Sequence, residues 1–419
     1  MRLPKIAVDL SALRASRDLR LLVLGNWVTG LGTQAALVAL PFQIYEQTRS
    51  AFLTGLLGAV ELVPLVTFAL VGGALADHFD RRRLLLLDQI ALILCATALA
   101  LLIWRPGDPP LAGLYVLGGL LAGFGAVQNV GRSAIVPNLV DPAHLRSALA
   151  VNFGLFQLTL VVGPAVGGVL IGLLGTGAVL AIDAVSCLAM VAALIPMGPQ
   201  PPQSSGERPP VRRSIAEGLR FVRTKAALMG SFAIDLVAMT FGMPRALFPV
   251  LAVSVYHAGP EGTGLLFASV SAGATVAALT TAWLERARRL GVIVLWAVIV
   301  WGVAIALAGL AGTIVVAALL LAAAGAADSV SAVCRSTINQ SVTPDALRGR
   351  MSSVFSLVVT SGPRLGDVES GAVAALAGVR FSVVSGGLAC IAGAVAVVAA
   401  FPALIRYDAE REIAAMRSG

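Results

Sequence analysis

Polar and apolar positions along this chain are segregated into long blocks. Mostly apolar runs recur near 20–44, 51–76, 84–104, 111–136, 147–171, 176–196, 227–254, 263–284, 290–308, 311–338, 352–376 and 381–404. Each is close to the roughly 20 apolar residues that a helix needs to cross a bilayer. Inside lipid every backbone N–H and C=O must be satisfied within the segment, so such runs form helices. The pattern therefore predicts an all-α polytopic membrane protein with twelve transmembrane helices.

A single long polar segment interrupts the pattern, from Gly198 through PQPPQSSGERPPVRR to about Lys225. Its proline-rich beginning reads as a linker, and Ile215 to Val222 as an amphipathic helix lying along the membrane surface. A short amphipathic cytoplasmic helix is expected around Val8 to Leu19. The first apolar run lacks a convincing cleavage site, so it is expected to remain as a span. The chain then divides into a cytoplasmic N-terminal segment (1–19), a six-helix half (20–197), a cytoplasmic linker (198–225), a second six-helix half (226–404) and a cytoplasmic tail (405–419). The halves echo each other: TGLL at 54–57 recurs at 263–266, and RSAIVPNLVDPAHLRSAL from Arg132 has a weaker counterpart in RSTINQSVTPDALRGRM from Arg335. Internal repeats of this kind imply two equivalent halves. One chain would then contain the whole pathway, and a functional monomer is expected.

Composition agrees. With 58% hydrophobic and 12% charged residues, the 419-residue chain could not cover a water-facing surface. The net charge of +8 is not a nucleic-acid footprint, because the basic residues form short clusters between apolar runs. Placing both termini in the cytoplasm puts 23 of the 30 Lys and Arg inside, with only Arg49, Arg105 and Arg380 outside; Arg132, Arg245, Arg335 and Arg364 fall within spans. The positive-inside rule orients the chain accordingly. Cys95, Cys187, Cys334 and Cys390 all lie in apolar runs without metal-ligand spacing and read as packing residues. Neither a phosphate-binding G-x-x-x-x-G-K-[ST] loop, an HExxH helix nor a G-x-S-x-G elbow occurs, and His78, His144 and His257 are scattered. No enzymatic activity, metal or bound cofactor is expected.

Polar residues inside spans are costly unless they face protein, water or a partner. In the first span Asn26 and Trp27 offer hydrogen bonding and an aromatic surface, with Gln34 near the same face. Gln128 and Arg132 share a face of the fourth span, although the repeated Arg132 and Arg335 read as cytoplasmic-end anchors. Glu61 either meets a cavity or is hydrogen-bonded between helices. Asp183 reads as a hydrated or capping acid. Asp235, Met239 and Gly242 share one face of the seventh span, where an acid, an adaptable thioether and a small residue would line a cavity. Asp328, Arg335 and Asn339 share a face of the tenth. Arg364 and Asp367 in the eleventh are spaced to pair, as a structural pair or as a gating element.

Several segments carry a family signature. Gly73, Leu75, Ala76, Asp77, Arg81 and Arg82 match the G-x-L-A-D-x-x-G-R-R/K loop of the major facilitator superfamily, with Asp80 standing where that pattern has glycine. The equivalent second-half stretch, from Ala282 to Arg289, has largely lost the pattern. Gly163, Pro164, Gly167 and Gly168 resemble the GPxxGG signature of the family's antiporters, whereas the fourth span reads LGGLLAGFG from Leu117, without the arginine found in proton-coupled drug exporters. Leu-Pro-Phe-Gln-Ile at 40–44, the T-P-x-x-L-x-G-R run at 343–350 and Gly366-Asp367 resemble the siderophore-exporter branch, typified by enterobactin exporters.

The resemblance implies a major facilitator fold and alternating-access export of an amphipathic small molecule, such as a siderophore, from a bacterial cytoplasmic membrane, with the proton gradient as energy source. It implies gating at Gly73, Asp77, Arg81, Arg82, Gly163, Pro164, Gly167 and Arg364, and substrate or coupling roles among Asn26, Trp27, Gln34, Glu61, Gln128, Asp235, Met239, Asp328 and Asp367. Multidrug or macrolide efflux and a nonconducting receptor or scaffold are the alternatives. Besides solute, the expected partners are membrane lipids.

Overall fold

The computed structural model describes residues 11–201, 211–281, 284, 287–344 and 347–408, and its regular elements are all helical. In chain order they are α1 (Ser11–Ala15), α2 (Arg17–Thr48), α3 (Ala51–His78), α4 (Arg81–Trp104), α5 (Leu111–Ile135), α6 (Leu145–Leu174), α7 (Thr176–Leu194), α8 (Val211–Thr224), α9 (Ala226–Phe241), α10 (Phe248–Val250), α11 (Gly259–Thr280), α12 (Leu290–Leu310), α13 (Ile314–Val342), α14 (Arg348–Ala377) and α15 (Val379–Ala400). Among the described residues eleven helical stretches are long and apolar enough to cross a membrane. The twelfth expected span is α14, 30 residues long but made more polar by Arg364, Asp367 and Glu369.

The seventh span is not one continuous helix. α9 stops at Phe241, and after Gly242 and Pro244 the chain resumes as a 3-10 turn at Arg245–Leu247, α10 and a π-helical turn at Leu251–Val255. Proline withholds an N–H and breaks the helical ladder, so the freed groups need other partners. They find them on neighbouring helices. Trp301 Nε1 donates to the Gly242 carbonyl at 2.7 Å, and the Ala246 N–H donates to Asp367 Oδ1 at 3.0 Å.

The helices form two compact units, one from Met1–Leu40 with Val63–Glu207 and the other from Pro41–Leu62 with Arg208–Gly419. In the first, α4 packs on α5 and α7, and α6 on α7. α2 approaches α6 where side chains are smallest: a Cβ at Gly167 would stand 2.7 Å from Ala35 Cα, and one at Gly163 would collide with Gln34. Small residues at such crossings let helix backbones approach in a membrane protein. Ala12 and Leu19 are fully buried in one cluster with Leu22, Leu85, Ile135 and Met190. The segment expected to be a short amphipathic helix is thus helical from Ser11 and buries Ala12 and Leu19 against protein.

In the second unit α11 and α12 pack on α13, α12 and α9 on α15, and α9 and α8 on α14. α8 is a helix over the segment expected to be amphipathic, and on its packed side Val222 joins Leu228, Phe232, Met351 and Val354 in a core cluster. Residues 41–62, the end of α2 and the start of α3, belong to this unit through contact with α14. A Cβ at Gly58 would lie 2.7 Å from Asp367 Cβ, and one at Gly371 3.0 Å from Gly55 Cα.

Candidate functional site

The first unit encloses a polar cavity of about 130 Å³ walled by three helices. α2 contributes Asn26, Trp27 and Gln34, α5 contributes Gln128, Asn129 and Arg132, and α6 contributes Phe156 and Thr159. The spacing of Asn26, Trp27, Gly30, Thr33 and Gln34 at one to four residues keeps them on one face of α2. Asn26 Nδ2 donates to Asn152 Oδ1 at 3.3 Å, but Asn26 Oδ1, Trp27 Nε1, Gln128 Nε2 and Arg132 Nε are buried without a hydrogen bond. The Arg132 guanidinium lies 6.0 Å from the Phe156 ring centroid, in cation–π range. Thus four of the residues expected from sequence, Asn26, Trp27, Gln34 and Gln128, do come together. Arg132, expected as an end anchor, lines the same cavity.

The second unit concentrates ionisable groups. Arg335 Nη2 lies 2.8 Å from Asp235 Oδ1 and 3.8 Å from Asp328 Oδ1, with the Arg335 and Asp235 side chains only 2% and 1% exposed. Neither Asp235 oxygen makes a well-directed hydrogen bond, and the nearby Ser231 and Ser331 hydroxyls are also unpaired. Arg364 Nη1 lies 2.5 Å from Glu61 Oε2 and 3.7 Å from Asp367 Oδ2. Asp367 also caps the 3-10 turn after α9, and Arg245 from that turn is within electrostatic range of Asp367 and Asp328. Four acids, Glu61, Asp235, Asp328 and Asp367, therefore face three arginines, Arg245, Arg335 and Arg364. Glu369 on the same helix has no charged partner among the described residues.

Two expectations for this region need correction. Asp235, Met239 and Gly242 do not line a cavity together. Asp235 faces α13, Met239 is buried with its Cβ against Gly362 of α14, and Gly242 ends α9. The reason is that each meets a different neighbour, Asp235 α13, Met239 α14 and Gly242 Trp301 of α12, so that no common open face is left. Arg335 is likewise no end anchor, since its charge is held by the buried Asp235 and the partly buried Asp328.

The loop signature is built from helix ends. Asp80 caps α4, accepting from the Arg83 N–H at 3.0 Å, and also accepts from the Gln200 N–H at 2.8 Å. Arg81 donates to the Ala134 carbonyl at 2.6 Å and Asn138 Oδ1 at 3.1 Å, while Arg82 donates to the Leu194 and Ile195 carbonyls at 2.8 Å each. Last-turn carbonyls lack helical partners and carry the negative end of the helix dipole, so arginines suit them. Both arginines thus bind within the first unit. Gly73 has nothing within 4 Å of a built Cβ, and the close approach falls instead on Gly72, against Val127 of α5. The Asp77 side chain lies outside the described residues. Gly163, Pro164 and Gly167 are buried in α6 at its contact with α2.

Sequence reasoning passed over Asp88 and left Asp183 aside. Both are buried: Asp183 accepts from Thr33 Oγ1 at 3.2 Å, and neither Asp88 oxygen has a hydrogen bond. The signal for Asp88 was an acid inside an apolar run, in LLLLDQI.

Twelve membrane-length helices, a polar cavity and a buried set of opposed charges are the construction of a multi-pass solute carrier. The match to the transmembrane secretion effector family covers residues 9–417. The chain belongs to that family, within the major facilitator superfamily. Among curated proteins it is similar to the enterobactin exporter EntS of Citrobacter koseri and that of Shigella boydii, each 28% identical over 377 residues and 88% of both chains. Among solved structures it is similar in fold to the nucleoside transporter NupG, with a TM-score of 0.71, 12% identity and coverage of 93% of this chain and 100% of that one. A bacterial homologue of the human lysosomal transporter Spinster gives a TM-score of 0.70 at 14% identity, covering 94% and 97%.

Proposed function

We propose that this chain exports an amphipathic small molecule, siderophore-like in character, by alternating access in a bacterial cytoplasmic membrane, in exchange for protons. The family and the relatives named as enterobactin exporters support export. The observation that carries the coupling is the charge set of the second unit, where four acids share three arginines. With every group ionised one carboxylate is uncompensated, which is costly away from water, and one proton restores neutrality. Asp235 and Asp328, sharing Arg335, are the proposed proton-exchanging pair; Glu61, Arg364 and Asp367 hold the start of α3 against α14 as a gating contact. The monomer is the proposed functional unit.

The test is reconstitution into proteoliposomes with a panel of siderophores, macrolides and unrelated drugs under imposed proton gradients. Gradient-driven siderophore movement is expected, together with loss of gradient dependence but retained counterflow in Asp235→Asn. Movement of drugs alone would replace the substrate assignment with multidrug efflux, and no movement under any gradient would leave a nonconducting scaffold. Unaltered gradient dependence in Asp235→Asn would remove this acid from coupling. The proposed orientation, with both termini cytoplasmic, rests on the distribution of Lys and Arg. All four native cysteines are buried, so single cysteines at Gly206 and Asp108 can report it. External labelling at Asp108 but not at Gly206 is expected, and the reverse would invert the topology.

A further inference from the structure

The cavity of the first unit has an unusual balance of hydrogen-bonding groups. Trp27 Nε1 and the Arg132 guanidinium can only donate, and both present buried N–H groups without a partner. Gln128 Nε2, also a donor, is unpartnered in a side chain only 5% exposed. Among the described residues no carboxylate pairs with Arg132, in contrast to Arg335 and Arg364. The one unpaired acceptor that lines the cavity, Asn26 Oδ1, is outnumbered by three unpaired donors, one of them on a cation, and the group that answers them is an anion rich in acceptor oxygens.

Size and shape narrow the class. At about 130 Å³ the cavity is close to the roughly 150 Å³ void that holds one benzene ring, so one ring-sized group of a ligand fills it. Trp27 and Phe156 supply aromatic walls, and the guanidinium already lies over Phe156, which favours a planar ligand group in contact with the same surfaces. From these observations we infer that the cavity walled by α2, α5 and α6 binds a planar aromatic group carrying a negative charge, with Arg132 taking the charge and Trp27 and Gln128 donating to its oxygens. The inference rests on the export reading for its biological meaning, since the group would be one part of the transported solute. Its chemistry stands separately, because equilibrium binding requires no transport.

The experiment uses the full chain in nanodiscs of zwitterionic lipid, with benzoate as the charged probe and benzamide as its neutral counterpart, followed by saturation-transfer NMR. Benzoate is expected to bind at least ten-fold more tightly than benzamide. Arg132→Gln is expected to abolish that preference, and Arg132→Lys to retain part of it. Trp27→Phe, which keeps the aromatic wall and deletes the donor, is expected to weaken benzoate about three-fold. Equal binding of the two probes by the native protein, or an undiminished preference in folded Arg132→Gln, would overturn the inference. Anionic lipid is expected to change benzoate affinity less than two-fold; competitive loss of binding would assign the site to a lipid headgroup instead. If the probes behave as expected but no gradient drives any solute, the export reading fails and the binding site remains.

Discussion

Arg132 and Arg335 open the two matching repeats of the chain, each followed by serine and each near the same end of its helix, α5 or α13. Their surroundings have nothing else in common. Arg335 is held 2.8 Å from Asp235 and shares Asp328, whereas Arg132 borders a cavity and has no acidic partner among the described residues. The first unit does contain buried acids, but Asp88 and Asp183 are not among the cavity's lining residues. One of the two arginines has its charge answered by acids, and the other meets none among the described residues. On the proposed reading, the two halves divide binding and charge coupling between them.

The largest effect is expected where the charges are paired. Arg335→Gln leaves Asp235 without its cation, and breaking a buried pair costs about 3–5 kcal/mol. Arg132→Gln breaks no ion pair and is expected to stay within about 0.5 kcal/mol of the native protein. Unfolding of the purified protein in detergent separates the two, and equal destabilisation would show that Arg132 is structural after all. The comparison sharpens further in the double variant Asp235→Asn with Arg335→Gln, which removes both charges together and is expected to be more stable than Arg335→Gln alone. An additive loss would mean that the 2.8 Å approach carries no coupling energy.

A smaller effect is expected from the charges at the rim of the first unit, which act on helix ends rather than on each other. Asp80→Ala removes the cap of α4 and the acceptor for Gln200, and loss of such a cap costs about 0.5–2 kcal/mol. Amide exchange should quicken at Arg83 and Gln200 while remaining unchanged around Arg335. Unchanged exchange at Arg83 would show that the cap contributes nothing, and the departure from glycine at position 80 would lack a structural reason.

Much of the architecture was legible in the residues because the bilayer imposes a simple rule: a helix that crosses it must be long and apolar, and the linking charges must stay in water. Twelve spans, the polar linker and the family signature followed from that pattern and from GGALAD, GPAVGG and the repeat at Arg132 and Arg335. Spacing along single helices also brought Asn26, Trp27 and Gln34 to one face, because helical period is local. Partner choice between helices is not local. Only packing decided that Glu61 meets Arg364, that Asp235 meets Arg335 instead of facing a cavity with Met239, and that Arg132 is left unpaired. The sequence by itself determined how many helices there are and which of them carry charge. Tertiary structure decided which charges are neutralised, because that depends on residues a hundred positions apart arriving within 3 Å of one another, as Asp235 and Arg335 do.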